Sequence, residues 1–243
     1  MRRIDIKQKL RELGVTVEGV CLGDFDLIGE LTAKKSRAPD DPNYTRYGAF
    51  FRPNYERGIL LYHLIRTSGA RRVLEIGFGR GYGALCAAKA FHDSGVVGSV
   101  ISVDPSPAGC QPHIVPELVK ALRTTFPALA DYVDIHVGTS QAIVPRLDGD
   151  WDLVYIDGDH SEEGTRADWE LVRDRWNKHV LFDDYHLPTK DDPGIRCSAA
   201  IDAIVPDGFT KELIVGDRRM FPDDRGLRDD QIDYGQVLLT KEG

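Results

Sequence analysis

The stretch VLEIGFGRGYG, residues 73–83, decides how the rest of the chain is read. It opens as a short apolar run interrupted by Glu75, then carries Gly77, Gly79, Gly81 and Gly83 at alternate positions. A strand that runs into closely spaced glycines turns tightly and lets a ligand approach the backbone, because no β-carbon intervenes. The dinucleotide pattern G-x-G-x-x-G requires a glycine at 82, where this chain has Tyr82. The G-x-G-x-G spacing therefore counts against an NAD-linked oxidoreductase. Alone, it fits equally a tight turn that binds nothing.

Working outward, short β-rich runs alternate with helical patterns. Residues 71–78, 98–105, 132–138, 151–158 and 178–185 are strand candidates. Between them, helices are expected over 83–93, 113–126, 140–147 and 162–176, the last with Thr165, Trp169, Val172 and Trp176 on one buried face. Near-continuous apolar strands joined by helices imply a parallel sheet covered on both faces. Past residue 194 come one helix, 197–204, and two runs, 210–221 and 233–242, that read as a terminal antiparallel pair. The expected architecture is α/β: a Rossmann-like, doubly wound, mainly parallel seven-stranded sheet in one domain. Residues 1–68 read as a mostly helical extension whose turn-rich stretch 36–48 has the composition of a lid, and 69–243 as the catalytic core.

The 243 residues, 42% hydrophobic and 29% charged, describe an ordinary globular chain. A formal net charge of −8 with no Lys/Arg block argues against nucleic acid as partner. No apolar run reaches membrane-spanning length and no signal-peptide core follows the N-terminus. Cys21, Cys86, Cys110 and Cys197 show no CxxC spacing, so neither a disulfide framework nor a zinc site is expected. A reduced, cytoplasmic protein is the expectation, with no membrane partner; a homodimer is compatible with the sequence.

Glu75 stands just before the glycine loop, where a carboxylate is a poor neighbour for pyrophosphate and a good one for an amine or sulfonium. Asp104 ends the next strand, about twenty residues on, where an acidic side chain can accept both ribose hydroxyls. Together they suggest a nucleoside without phosphates that carries a cationic group. VLEIGFGRGYGA resembles the first motif of class I S-adenosylmethionine-dependent methyltransferases, and ISVDP their second acidic motif. The resemblance implies Gly77, Gly79 and Gly81 under the methionine portion, with Tyr82 beside them, Glu75 near its amine, and Asp104 on the ribose. The stretch VGTSQAIVPRL is similar to the segment of catechol O-methyltransferase-like enzymes that flanks the adenine, which implies base contacts from Ser140 and Gln141. Thr139 or Ser140 also reads simply as a helix cap.

Asp157 lies at the end of the fourth strand candidate, and Asp183 with Asp184 at the end of the fifth. Adjacent parallel strand ends are neighbours, so three carboxylates converge and would repel one another unless a cation joins them. A hard divalent ion such as Mg2+ takes oxygen ligands and keeps positions open for water and substrate. Catechol and macrocin O-methyltransferase-like enzymes place acidic residues at the same two strand ends, and the similarity covers residues 71 to about 186. The chain departs from the catechol pattern at His160, where that family has a lysine as general base. "IDGDH" is similar to cephalosporin hydroxylase-like proteins and another small-molecule branch. His160 reads either as a base for an acceptor hydroxyl or as a structural histidine capping the helix at Ser161. Asp159 reads as a support or a cap, His186 as a weaker base and Tyr185 as packing. The expected function is S-adenosylmethionine- and metal-dependent O-methylation of a small hydroxylated molecule. The alternatives are a hydroxylase-like relative or a non-catalytic cofactor-binding module on the same fold.

Overall fold

In the computed structural model, residues 1–15, 22, 55–106, 115–186, 197–215 and 234–242 are described. The lid stretch 36–48 and the His186 side chain lie outside them. The elements in chain order are β1 (Arg2–Asp5), α1 (Ile6–Glu12), α2 (Tyr55–Ser68), β2 (Arg72–Ile76), α3 (Tyr82–Ser94), β3 (Ser99–Asp104), α4 (Val115–Thr125) and β4 (Val133–Val137). There follow α5 (Ser140–Ile143), β5 (Trp151–Ile156), α6 (Glu162–Val172), β6 (Trp176–His186), α7 (Cys197–Asp202), β7 (Phe209–Val215) and β8 (Tyr234–Lys241).

The strands form one eight-stranded sheet in the order β1-β7-β8-β6-β5-β2-β3-β4. Pairing is parallel from β6 through to β4, and β8 runs antiparallel to both β6 and β7. The chain moves outward from β2 to β3 and β4, then returns to lay β5 on the other side of β2. In such a sheet the crevice at the carboxyl ends of β2 and β5 is where a ligand finds room.

Alternation along the strands divides the core. Val73, Leu153, Tyr155 and Leu181 face α2, α3 and α4, whereas Leu74, Val154, Ile156 and Phe182 face α5, α6 and α7. The β-branched and aromatic strand residues suit a pleat buried on both faces. α2 is buried nearly all round, from Ile59 to Ile65, so it is a core helix rather than a surface one.

Two features depart from the sequence reading. An eighth strand, β1, pairs parallel with β7 through Arg2↔Glu212 to Asp5↔Val215. Four charged or isolated apolar residues carry no strand pattern of their own; tertiary pairing makes the strand. It is fastened by Glu212, which is buried and accepts from Arg2 at 3.0 Å and Lys9 at 2.5 Å. The other departure is at Trp176, expected on the helical face of α6. The helix stops at Val172, and Trp176 opens β6, its indole donating to the Arg173 carbonyl at 2.9 Å. The i, i+4 spacing of Val172 and Trp176 was fortuitous, because both side chains reach the same core from different elements.

Candidate active site

The glycine loop sits at the switch point. The Gly77 N–H donates to the Val103 carbonyl at 2.9 Å and the Asp157 N–H to the Ile76 carbonyl at 2.8 Å, so the ends of β2, β3 and β5 are knitted together. Gly77 has φ 97°, and a β-carbon on it would overlap the Asp157 carbonyl. Only glycine permits this crossing. Gly79 and Gly81 also have positive φ, and Gly81 precedes the first turn of α3. Asp104, at the end of β3, braces the loop: its Oδ2 accepts from the Phe78 and Gly79 N–H groups at 2.9 and 3.0 Å, and its Oδ1 from Ser106 N–H at 2.6 Å.

Glu75 lies beneath the loop, 2% exposed, accepting from the Ser102 hydroxyl and from the Ala84 N–H in the first turn of α3. Burial, reinforced by Asp104 and opposed by those hydrogen bonds, raises its pKa to about 8. It holds the glycine loop to the sheet and to the helix that follows. Tyr82 is half-buried, and its hydroxyl reaches Cys86 and the backbone of Gly58 in α2.

Beyond β4, Thr139 caps α5 by accepting from Ala142 N–H at 3.3 Å. Gln141 is exposed, whereas Ser140 is buried and donates its hydroxyl to Asp168 of α6. Asp168 is 3% exposed, and burial raises its pKa. Its other oxygen packs under Gly158. The sequence reading missed this carboxyl because an acidic residue within an amphipathic helix ordinarily faces water.

The Asp183–Asp184 pair occupies a β-bulge. Phe182 pairs with Val237 and Tyr185 with Gly235, so β6 spends one residue more than β8 over the same interval. Asp184 has φ 51°, the one positive value among the described non-glycine residues. Such a bulge re-aims side chains. Asp183 keeps the face of Tyr155 and Leu181 and is 4% exposed, while the Asp184 side chain is 34% exposed. Tyr185 returns to the face of Phe182 and donates its hydroxyl to the Asp202 carboxylate at 3.0 Å.

The bulge brings Asp184 beside Asp157 and His160. One donor atom from each of these three lies within 4.8 Å of the others. His160 Nε2 is 3.4 Å from Asp184 Oδ2 and 3.9 Å from Asp157 Oδ1. Asp183, expected as a third carboxylate of this set, instead accepts from the Tyr155 hydroxyl at 2.7 Å. Cys197 fastens the two strand ends from behind: its N–H donates to the His160 carbonyl at 2.9 Å and its thiol to the Asp184 carbonyl at 2.8 Å. Ser161 caps α6 by accepting from Gly164 N–H at 3.0 Å, and Asp159 accepts from Ser161 N–H at 2.9 Å. The cap is thus supplied by Ser161, and the His160 ring stays 43% exposed beside the carboxylates.

The eight-stranded, mostly parallel sheet with antiparallel end strands and a glycine loop at its crevice is the Rossmann-like α/β fold found in methyltransferases. Residues 74–185, from the glycine loop to the bulge, match the family described as a methyltransferase domain. No curated protein matches the chain significantly. Among solved structures it is similar to cofactor-bound Rv0187 from MTB (20% identity, TM-score 0.58, covering 88% of this chain and 95% of that one). It is also similar to TomG from Streptomyces achromogenes, an O-methyltransferase of tomaymycin synthesis solved with SAM (18%, 0.56, 88% and 96%). An O-methyltransferase from Bacillus cereus solved with SAH covers nearly the whole chain (15%, 0.57, 98% and 97%). Among the described residues, no helix is long and apolar enough to cross a membrane.

Proposed function

We propose that the protein transfers the methyl group of S-adenosylmethionine to a hydroxyl of a small molecule, with a divalent cation such as Mg2+ at the ends of β5 and β6. One observation carries this reading: Gly77 of the cofactor loop lies against the main chain of Asp157, whose carboxylate belongs to the Asp157–His160–Asp184 cluster. A methyl donor on the loop and an acceptor at the cluster would therefore be neighbours.

The donor chemistry of the cluster fits a cation. Two carboxylates and an imidazole, each about a third or more exposed, are the oxygen and nitrogen donors that divalent ions accept. Asp157, Asp184 and His160 would hold it; for an acceptor with neighbouring oxygens it supplies positive charge that lowers the hydroxyl pKa, enough for a phenol of ordinary pKa about 10 to ionise near neutrality. With His160 turned toward the carboxylates, a phenol with a vicinal oxygen suits the site better than a sugar alcohol, which needs a separate strong base.

The residues of the chain itself supply position. Asp104 and Glu75 fix the glycine loop from above and below, which sets the sulfonium. Cys197 ties the backbone of His160 to that of Asp184, which sets the acceptor. The acceptor hydroxyl gives its proton to solvent water, in-line displacement by the resulting oxyanion forms the O–CH3 bond as the S–CH3 bond breaks, and the sulfonium becomes the neutral thioether of S-adenosylhomocysteine. Holding both partners in line removes much of the entropic barrier to the transfer.

Calorimetric titration tests the reading. S-adenosylhomocysteine should bind in the presence of chelator, NAD should not, and Mn2+ should then bind the cofactor complex with one-to-one stoichiometry. Failure of S-adenosylhomocysteine to bind would overturn the cofactor assignment; failure of Mn2+ would overturn the cation.

A further inference from the structure

Tyr155 stands where the cofactor half and the cation half of the site meet. It is 5% exposed, on the β5 face shared with Leu181 and Asp183. Its hydroxyl donates to Asp183 Oδ2 at 2.7 Å and lies 3.4 Å from Asp157 Oδ2. Its ring edge rests against the start of α3. A β-carbon on Gly83 would sit 2.8 Å from Tyr155 Cε1 and would overlap Glu75 Oε1. The phenol is thus clamped between the helix that follows the glycine loop and the two carboxylates.

We propose that Tyr155 is the positioning residue of the cation site, its hydroxyl fixing the buried Asp183 and the neighbouring Asp157 so that Asp157 Oδ1 and the Asp184 carboxylate meet the ion in a set orientation. The inference rests on the cation reading above. The hydroxyl bond to Asp183 anchors the inner face of the bulge, and the bulge decides where Asp184 points. The approach to Asp157 limits rotation of that carboxylate and leaves its Oδ1 toward His160. Phenylalanine in place of Tyr155 preserves the ring packing on Gly83 and deletes only this function. Hydrogen-bonded groups behind metal ligands ordinarily govern metal affinity by about 10–100-fold.

The test uses the full chain loaded with S-adenosylhomocysteine and titrated with Mn2+, followed by calorimetry and by the electron paramagnetic resonance spectrum of the bound ion. Tyr155→Phe should weaken Mn2+ by roughly tenfold or more and broaden its spectrum, with cofactor affinity in chelator unchanged. Asp183→Asn should weaken Mn2+ as well. The double variant should lose little beyond the worse single variant, because the two groups act as one unit. Wild-type Mn2+ affinity in Tyr155→Phe would overturn the inference alone, as would fully additive losses. Absence of Mn2+ binding by the wild-type protein would overturn the cation reading and this inference with it.

Discussion

Gly77 and Asp157 touch main chain to main chain, and a β-carbon on Gly77 would occupy the space of the Asp157 carbonyl. That contact joins the loop expected to carry the cofactor to the strand end expected to carry the acceptor. Gly77→Ala adds both a clash and an unfavourable positive φ. The expected loss is about 3–5 kcal/mol in denaturant unfolding, with weaker binding of both S-adenosylhomocysteine and Mn2+. Gly79→Ala is the control: its φ is 49° but nothing lies within 4 Å of the added carbon. It should cost only about 1–2 kcal/mol. Equal costs for the two variants would contradict the contact.

Glu75 makes stability depend on pH. Its folded pKa of about 8 lies above the ordinary 4.5, so between those values the native state holds a proton that the unfolded chain has released. Its contribution is full below 4.5 and is lost as pH rises through about 8. Wild type should therefore lose stability relative to Glu75→Gln at up to about 1.4 kcal/mol per pH unit in that window. Urea unfolding of both proteins across the window measures the difference; a flat difference would mean that Glu75 is ionised in the folded protein.

Ser140 and Asp168 form a buried hydrogen-bonded pair between α5 and α6. Ser140→Ala leaves the Asp168 carboxyl without that donor and should cost about 1–3 kcal/mol. Asp168→Asn should cost less, since an amide oxygen still accepts. In the double variant the losses should fall short of additive by at least about 0.5 kcal/mol, measured by thermal or denaturant unfolding.

Glu212 holds β1 to the sheet. Glu212→Ala removes the shared partner of Arg2 and Lys9 and should leave the Lys9 ammonium, 12% exposed, without its carboxylate. Hydrogen exchange at residues 2–5 should speed up, while S-adenosylhomocysteine affinity stays within about twofold, because β1 lies at the sheet edge far from the β2–β5 crevice. Unchanged exchange would show that backbone pairing alone retains the strand.

The central strands were legible because each is a short apolar run bounded by turn residues, and because the glycine loop with Asp104 fixed the order of the first βαβ unit. β1 was not, since its partner lies some two hundred residues away and its own four residues carry no alternation. The candidate site was legible as residue types at strand ends. Its geometry was not: Asp183 and Asp184 look alike in sequence, and only a one-residue bulge against β8 sends one inward to Tyr155 and the other out to His160. Tyr155 and Asp168 were missed for a related reason. A tyrosine within a strand reads as packing and an aspartate within a helix as surface, and each acquires its role from a partner 28 residues away.

Methyl transfer from labelled S-adenosylmethionine to a panel of catechols, single phenols and sugar alcohols, with Mg2+ and again in excess chelator, bears most directly on the proposed activity. The expected result is an oxygen-methylated product from the catechols with Mg2+, lost in chelator and restored by added Mg2+, while S-adenosylhomocysteine binding persists throughout. Undiminished turnover in chelator, or methylation at nitrogen or carbon, would contradict it.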